Sequence, residues 1–120
     1  MIFSKYFKEE EFRNCTPGCS LQDMKKRTMS KLDTAREIAG IPFLLNSAFR
    51  SDQWDISRGR SGTSAHTLGQ AVDIRCINQS DRFVMICALL QAGFKRIGIG
   101  DTYIHVDDSE VHTSEIIWLY

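Results

Sequence analysis

Two short runs rich in β-branched and aromatic residues, 95–99 (KRIGI) and 102–106 (TYIHV), are parted only by Gly100 and Asp101. That pattern predicts two antiparallel strands joined by a tight turn, with His105 on the second strand. Two further apolar runs read as strands: 42–49 (PFLLNSAF), flanked by breakers and leading to Arg50, and 70–77 (QAVDIRCI), which carries Asp73. The tail EIIWLY reads as a last strand.

Helical spacing marks the rest. Leu21, Met24, Met29, Leu32, Ala35 and Ile38 recur at three- to five-residue steps, predicting an amphipathic helix over 21–39, capped by Ser20 and stopped by Gly40. Ser80 is the expected cap of a second helix, 81–92, with Phe83, Ile86, Cys87 and Leu90 as its apolar face. A shorter helical piece is expected over 8–13, ended by Pro17-Gly18. Residues 51–65 (SDQWDISRGRSGTSA) are polar and aperiodic and read as a loop. Helices beside a run of neighbouring strands give an α+β class: a small, mainly antiparallel sheet with helices on one face and the polar loop across the other.

Length allows one domain, 1–120, and no separate binding module. Fifteen basic and fifteen acidic residues cancel, so no bulk field favours nucleic acid or an anionic membrane, and specificity must come from a local site. The N-terminus lacks the apolar run of a signal peptide or membrane span, so the expectation is synthesis in the cytosol, as a monomer. Four cysteines, Cys15, Cys19, Cys76 and Cys87, are expected to be reduced thiols, the last two in the core. No phosphate-binding loop and no serine-hydrolase elbow is present.

Three residues stand out as possible ligands, His66, Asp73 and His105, although a lone histidine is more often a hydrogen-bonded surface or core residue and spacing alone does not settle it. Two imidazoles and a carboxylate make the three-ligand set of catalytic zinc, which keeps a fourth position open. The seven-residue step from His66 to Asp73 fits no helical pair, so a loop and a strand must bring them together.

The segment 64–74, SAHTLGQAVDI, resembles the S-x-H-x-x-G-x-A-x-D-I motif of the zinc D-alanyl-D-alanine carboxypeptidases. Residues 104–107 (IHVD) resemble that family's H-V-D strand, and 46–51 (NSAFRS) its S-G-Y-R-S segment, with Ala48 and Phe49 where Gly and Tyr are common. The opening 7–12 (FKEEEF) is similar as well, so the resemblance runs from about residue 5 to 108 in the correct order. It implies a fold like that of the D-Ala-D-Ala peptidases and the hedgehog domain. Zinc on His66, Asp73 and His105 would polarise a scissile carbonyl and lower the pKa of its water toward about 7. The implied partner is the peptidoglycan stem peptide, cut as a D-Ala-D-Ala carboxypeptidase or as an L-Ala-D-Glu endopeptidase; a phage lysis enzyme would suit such a leaderless wall peptidase. Arg50 matches the family's substrate-contacting arginine, and Ser64 either orders its loop or touches substrate. Asp107, two residues beyond His105, is expected to orient a ligand histidine.

One departure stands out. Several relatives carry an acidic residue three positions before the last zinc histidine, or a histidine slightly further upstream, where this chain has Thr102 and Gly100. Asp101, one step away, is the first candidate for the general base and Asp107 the second. The missing base keeps open an inactive zinc-holding module that binds wall peptides.

Overall fold

The computed structural model describes residues 1–120. Five strands form one sheet in the order β1-β2-β4-β3-β5: β1 (Leu45–Ser47), β2 (Ala71–Arg75), β3 (Arg96–Ile99), β4 (Tyr103–Asp107) and β5 (Ile116–Leu119). The pairs β1/β2, β2/β4 and β4/β3 are antiparallel, and β5 runs parallel to β3. The expected mainly antiparallel α+β architecture is therefore present, with a parallel strand at one edge. No helix is long and apolar enough to cross a membrane.

Strand alternation separates core from chemistry. Val72, Ile74, Ile97, Ile104 and Val106 share a buried core with Met29, Leu32 and Ala35 of α2 (Lys26–Ala39) and with Met85, Ala88 and Leu89 of α4 (Gln79–Gln91). Successive side chains on a strand point to opposite faces, so Asp73, Tyr103 and His105 stand on the face away from these helices.

Several expected boundaries differ, each for a local reason. Ser20 does cap, accepting from the Gln22 N–H at 2.9 Å, but it opens only a 3₁₀ turn at Leu21–Asp23. The chain then extends through Met24 and Lys25, and the Lys25 N–H donates to the Gly69 carbonyl at 2.8 Å; α2 starts one residue later. This tie binds the helix to the loop that carries His66. Gly69 has φ 71°, and a Cβ there would lie 2.4 Å from the Asp23 carbonyl oxygen, so both conformation and space demand glycine.

Asn78, not Ser80, caps α4, its side chain accepting from the Asp81 N–H at 2.8 Å. The expected apolar face of this helix is also corrected: Phe83 is 71% and Leu90 44% exposed, whereas Met85, Ala88 and Leu89 are buried. Apolar residues surround α4 on most sides, so spacing alone does not choose the face; packing on α2 and the sheet does.

The polar stretch 51–65 is not all loop. It contains α3 (Asp52–Ser57), whose cap Ser51 accepts from the Trp54 N–H at 3.0 Å. A helix of under two turns shows no periodicity to read. The first helix, α1 (Glu9–Cys15), runs two residues beyond its expected end, with the Lys8 N–H bonded to the Glu11 carboxylate. All four cysteines are free thiols; Cys76 is buried, while Cys87 lies only partly covered on α4.

Candidate metal centre

Register sets the first pair. In the β2/β4 ladder Asp73 stands directly opposite His105, on the face away from the helices. The third residue, His66, comes from a 3₁₀ turn, Ala65–Leu68, which ends at Gly69 immediately before β2. The Arg50 N–H donates to the His66 carbonyl at 3.2 Å, which holds the turn against the segment following β1.

The two rings aim different nitrogens at the same carboxylate. His66 Nε2 lies 3.3 Å and His105 Nδ1 3.0 Å from Asp73 Oδ1, and all three ligand atoms fall within 4.8 Å of one another. Each ring's other nitrogen already has an acceptor: the Ala48 carbonyl is 2.8 Å from His66 Nδ1, and Asp107 Oδ2 is 2.6 Å from His105 Nε2. Both outer contacts are shorter than the contacts to Asp73, so a ring with a single proton carries it on the outer nitrogen and its inner one presents a lone pair. Two lone pairs and a carboxylate oxygen then converge with no donor among them. Such a cluster needs a cation, either extra protons or a metal, and its N/N/O set with fixed tautomers suits zinc.

The electrostatics agree with this shortage of positive charge. Burial opposes ionisation of Asp73, yet in the metal-free cluster protons taken up by His105 and His66 outweigh it through hydrogen bonds and charge and hold the carboxyl well below the usual carboxylate range. Burial likewise opposes charging of His105, but the Asp107 and Asp73 carboxylates win and raise its pKa.

Asp107 is fully buried and fully engaged. Besides His105 it accepts from Arg96 Nε at 2.8 Å and from the Ser109 N–H at 3.1 Å. The Arg96 guanidinium lies over the Trp118 ring at 5.1 Å, and Trp118 in turn packs on His105 with ring centroids 5.4 Å apart. Trp118 reaches this place because its register partner on β3 is Gly98, where a Cβ would come within 2.6 Å of the indole. Sequence reasoning missed Arg96 and Trp118. The signal available was Gly98 inside a strand, a mark of close approach by another group.

Beside the centre a cleft of about 320 Å³ opens, lined by Arg50, Trp54, Arg58, Arg60, Tyr103 and Asp73 among others. Arg50 stands outside the three-residue cluster, held by an ion pair of 2.9 Å between its Nε and Asp55 Oδ1. Asp55, a buried residue of α3 that the sequence did not single out, also accepts from Ser64 Oγ at 3.2 Å. Ser64 thus ties its loop to α3. Tyr103 shares the cleft with Asp73; burial and the carboxylates of Asp73 and Asp101 keep its phenol protonated beyond the ordinary tyrosine range. Asp101 itself sits exposed at the β3–β4 turn, its carbonyl accepting from Arg82. It lies outside β4, four residues before His105, and does not line the cleft.

Residues 5–107 match the family model described as peptidase M15, in agreement with the resemblance read from the motifs. No curated protein matches the chain.

Proposed function

The chain belongs to the peptidase M15 family, metal-dependent peptidases, and from that premise we propose that it is a zinc peptidase that hydrolyses peptidoglycan stem peptides. The reading rests above all on one observation: His66 Nε2, Asp73 Oδ1 and His105 Nδ1 lie within 4.8 Å of one another, while the other nitrogen of each ring is already taken by an acceptor.

Zinc held by these three residues supplies Lewis-acid polarisation of a carbonyl and activation of water. The chain's own residues prepare the rest. Ala48 and Asp107 hold the outer ring nitrogens of His66 and His105, which turns Nε2 of the first and Nδ1 of the second toward the position the metal would take. Arg50, braced by Asp55, offers in-plane N–H donors to a carboxylate or to a carbonyl oxygen that gains charge. Tyr103 retains its proton, so its hydroxyl is a donor available to a peptide in the cleft.

The test is zinc content per chain together with cleavage of two synthetic peptides, one ending in D-Ala-D-Ala and one containing L-Ala-D-Glu. Near one zinc per chain, and cleavage of one peptide that disappears in His66→Ala, is expected. A folded protein that takes up no zinc when it is supplied would end the proposal. A second reading, a wall-peptide binding module, draws support from the lack of any carboxylate other than Asp73 along the cleft. Tight peptide binding with zinc loaded and no turnover would favour it.

A further inference from the structure

Arg58 and Arg60 follow α3 and line the cleft next to Asp73, and neither belongs to the motifs that the sequence shares with its family. Arg58 lies one helical turn after Trp54, and its guanidinium stacks on the indole at 4.1 Å from the ring centroid. A planar guanidinium that stacks by its face keeps its in-plane N–H donors free. No carboxylate pairs with Arg58; the salt bridges of this region all end on Asp55. Asp55 Oδ1 lies 2.9 Å from Arg50 Nε and 3.6 Å from an Arg60 terminal nitrogen, so one carboxylate serves two guanidinium groups. Asp73, the only carboxylate along the cleft, is committed to the two histidines. Three arginines therefore face the cleft against a single buried counter-charge, and the surplus is presented beside the metal centre.

We propose that Arg58 and Arg60 form a clamp for a carboxylate of the peptide, separate from the group held by Arg50, and that this clamp makes the cleft prefer acidic over amidated stem peptides. This rests on the stem-peptide reading above. Trp54 fixes the plane of Arg58 in advance, which lowers the ordering cost of binding. Arg60 adds charge beside the same Asp55 oxygen that Arg50 meets.

The probes are L-Ala-γ-D-Glu-L-Lys-D-Ala-D-Ala and two analogues, in which either the D-Glu α-carboxylate or the terminal carboxylate is a carboxamide. Stopped-flow tryptophan fluorescence on the zinc-loaded protein reads binding before turnover. One carboxamide should bind about tenfold more weakly than the parent peptide, the loss expected for one charge-assisted contact. In Arg58→Gln that preference should shrink to about twofold, and Arg58→Lys, which keeps the charge without the planar stack, should recover part of it. Equal binding of all three peptides, or a preference that Arg58→Gln leaves intact, overturns the clamp and leaves the peptidase reading standing. Failure of the folded, zinc-loaded parent to bind any of them overturns both.

Discussion

Replacing Asp107 by Asn removes one charge and almost no volume, and it tests how the centre is held. Both carboxylate oxygens are in use: Oδ2 faces His105 Nε2, and Oδ1 faces Arg96 and the Ser109 N–H. Asparagine has one oxygen to offer. If that oxygen faces Arg96 and Ser109, the new NH₂ faces His105 Nε2, which must become the acceptor, and the ring proton moves to Nδ1. Nδ1 is the atom aimed at Asp73, so the imidazole then blocks the position it should ligate. If the oxygen faces His105 instead, the NH₂ meets the Arg96 and Ser109 donors inside a fully buried site. Leaving such donors unmatched costs about 1–3 kcal/mol of fold stability. Losing the carboxylate that orients a ligand histidine weakens metal affinity by about 10- to 100-fold, or about 1.4–2.7 kcal/mol. Zinc affinity by chelator competition, with metal-free urea unfolding alongside, separates the two outcomes. Zinc affinity unchanged within about twofold in an Asp107→Asn protein that also keeps its metal-free stability would refute the tautomer argument.

Protons should compete with the metal. His105 has a raised pKa, so zinc affinity should begin to fall at a pH above the ordinary histidine value of about 6.5, as titrations at stepped pH would reveal. In the metal-free protein the sign reverses. The raised pKa of His105 adds stability below its unfolded value that is lost as pH rises through the folded one, and the lowered pKa of Asp73 adds stability that is lost only as pH falls through the acid range. Metal-free unfolding should therefore show greater stability near pH 5.5 than near pH 8 (about one unit either side of the histidine range), and the opposite order would contradict the assignment. Gly98→Ala places a Cβ 2.6 Å from Trp118 and 2.7 Å from Tyr120, so it should push β5 off His105, at about 1–3 kcal/mol, and shift the tryptophan near-UV dichroism; an unchanged spectrum would show that β5 is not seated there. Cys15, whose thiol is pushed up to about 11, chiefly by burial, should react with iodoacetamide at pH 8 about a hundredfold more slowly than an ordinary cysteine, as peptide mass spectrometry can measure.

What the sequence determined by itself was local or motif-borne. The KRIGI and TYIHV runs around Gly100-Asp101 fixed a hairpin because strand propensity and turn chemistry act over a few residues. The same locality explains why His66, Asp73 and His105 were legible: their residue types carry ligand chemistry, and Gly69 marks the turn that brings His66 to β2. Where several local signals competed, the sequence was ambiguous. Ser80 and Asn78 both suit a helix cap, and only the chain path entering α4 selects Asn78; Phe83 and Met85 both lie on apolar stripes, and only α2 and the sheet decide that Met85 goes inside. The surroundings of the centre were beyond reach for a stronger reason. Asp55 with Arg50, Arg96 with Asp107, and Trp118 with His105 are contacts between residues whose individual types suggest solvent or core; the first needs the short helix α3, which shows no periodicity, and the other two exist only once β3, β4 and β5 are laid into one sheet. The parallel placement of β5 against β3 is the clearest case: an apolar tail reads as a strand anywhere, but which edge it joins is set by the packing of the whole sheet, and that choice puts an indole on His105.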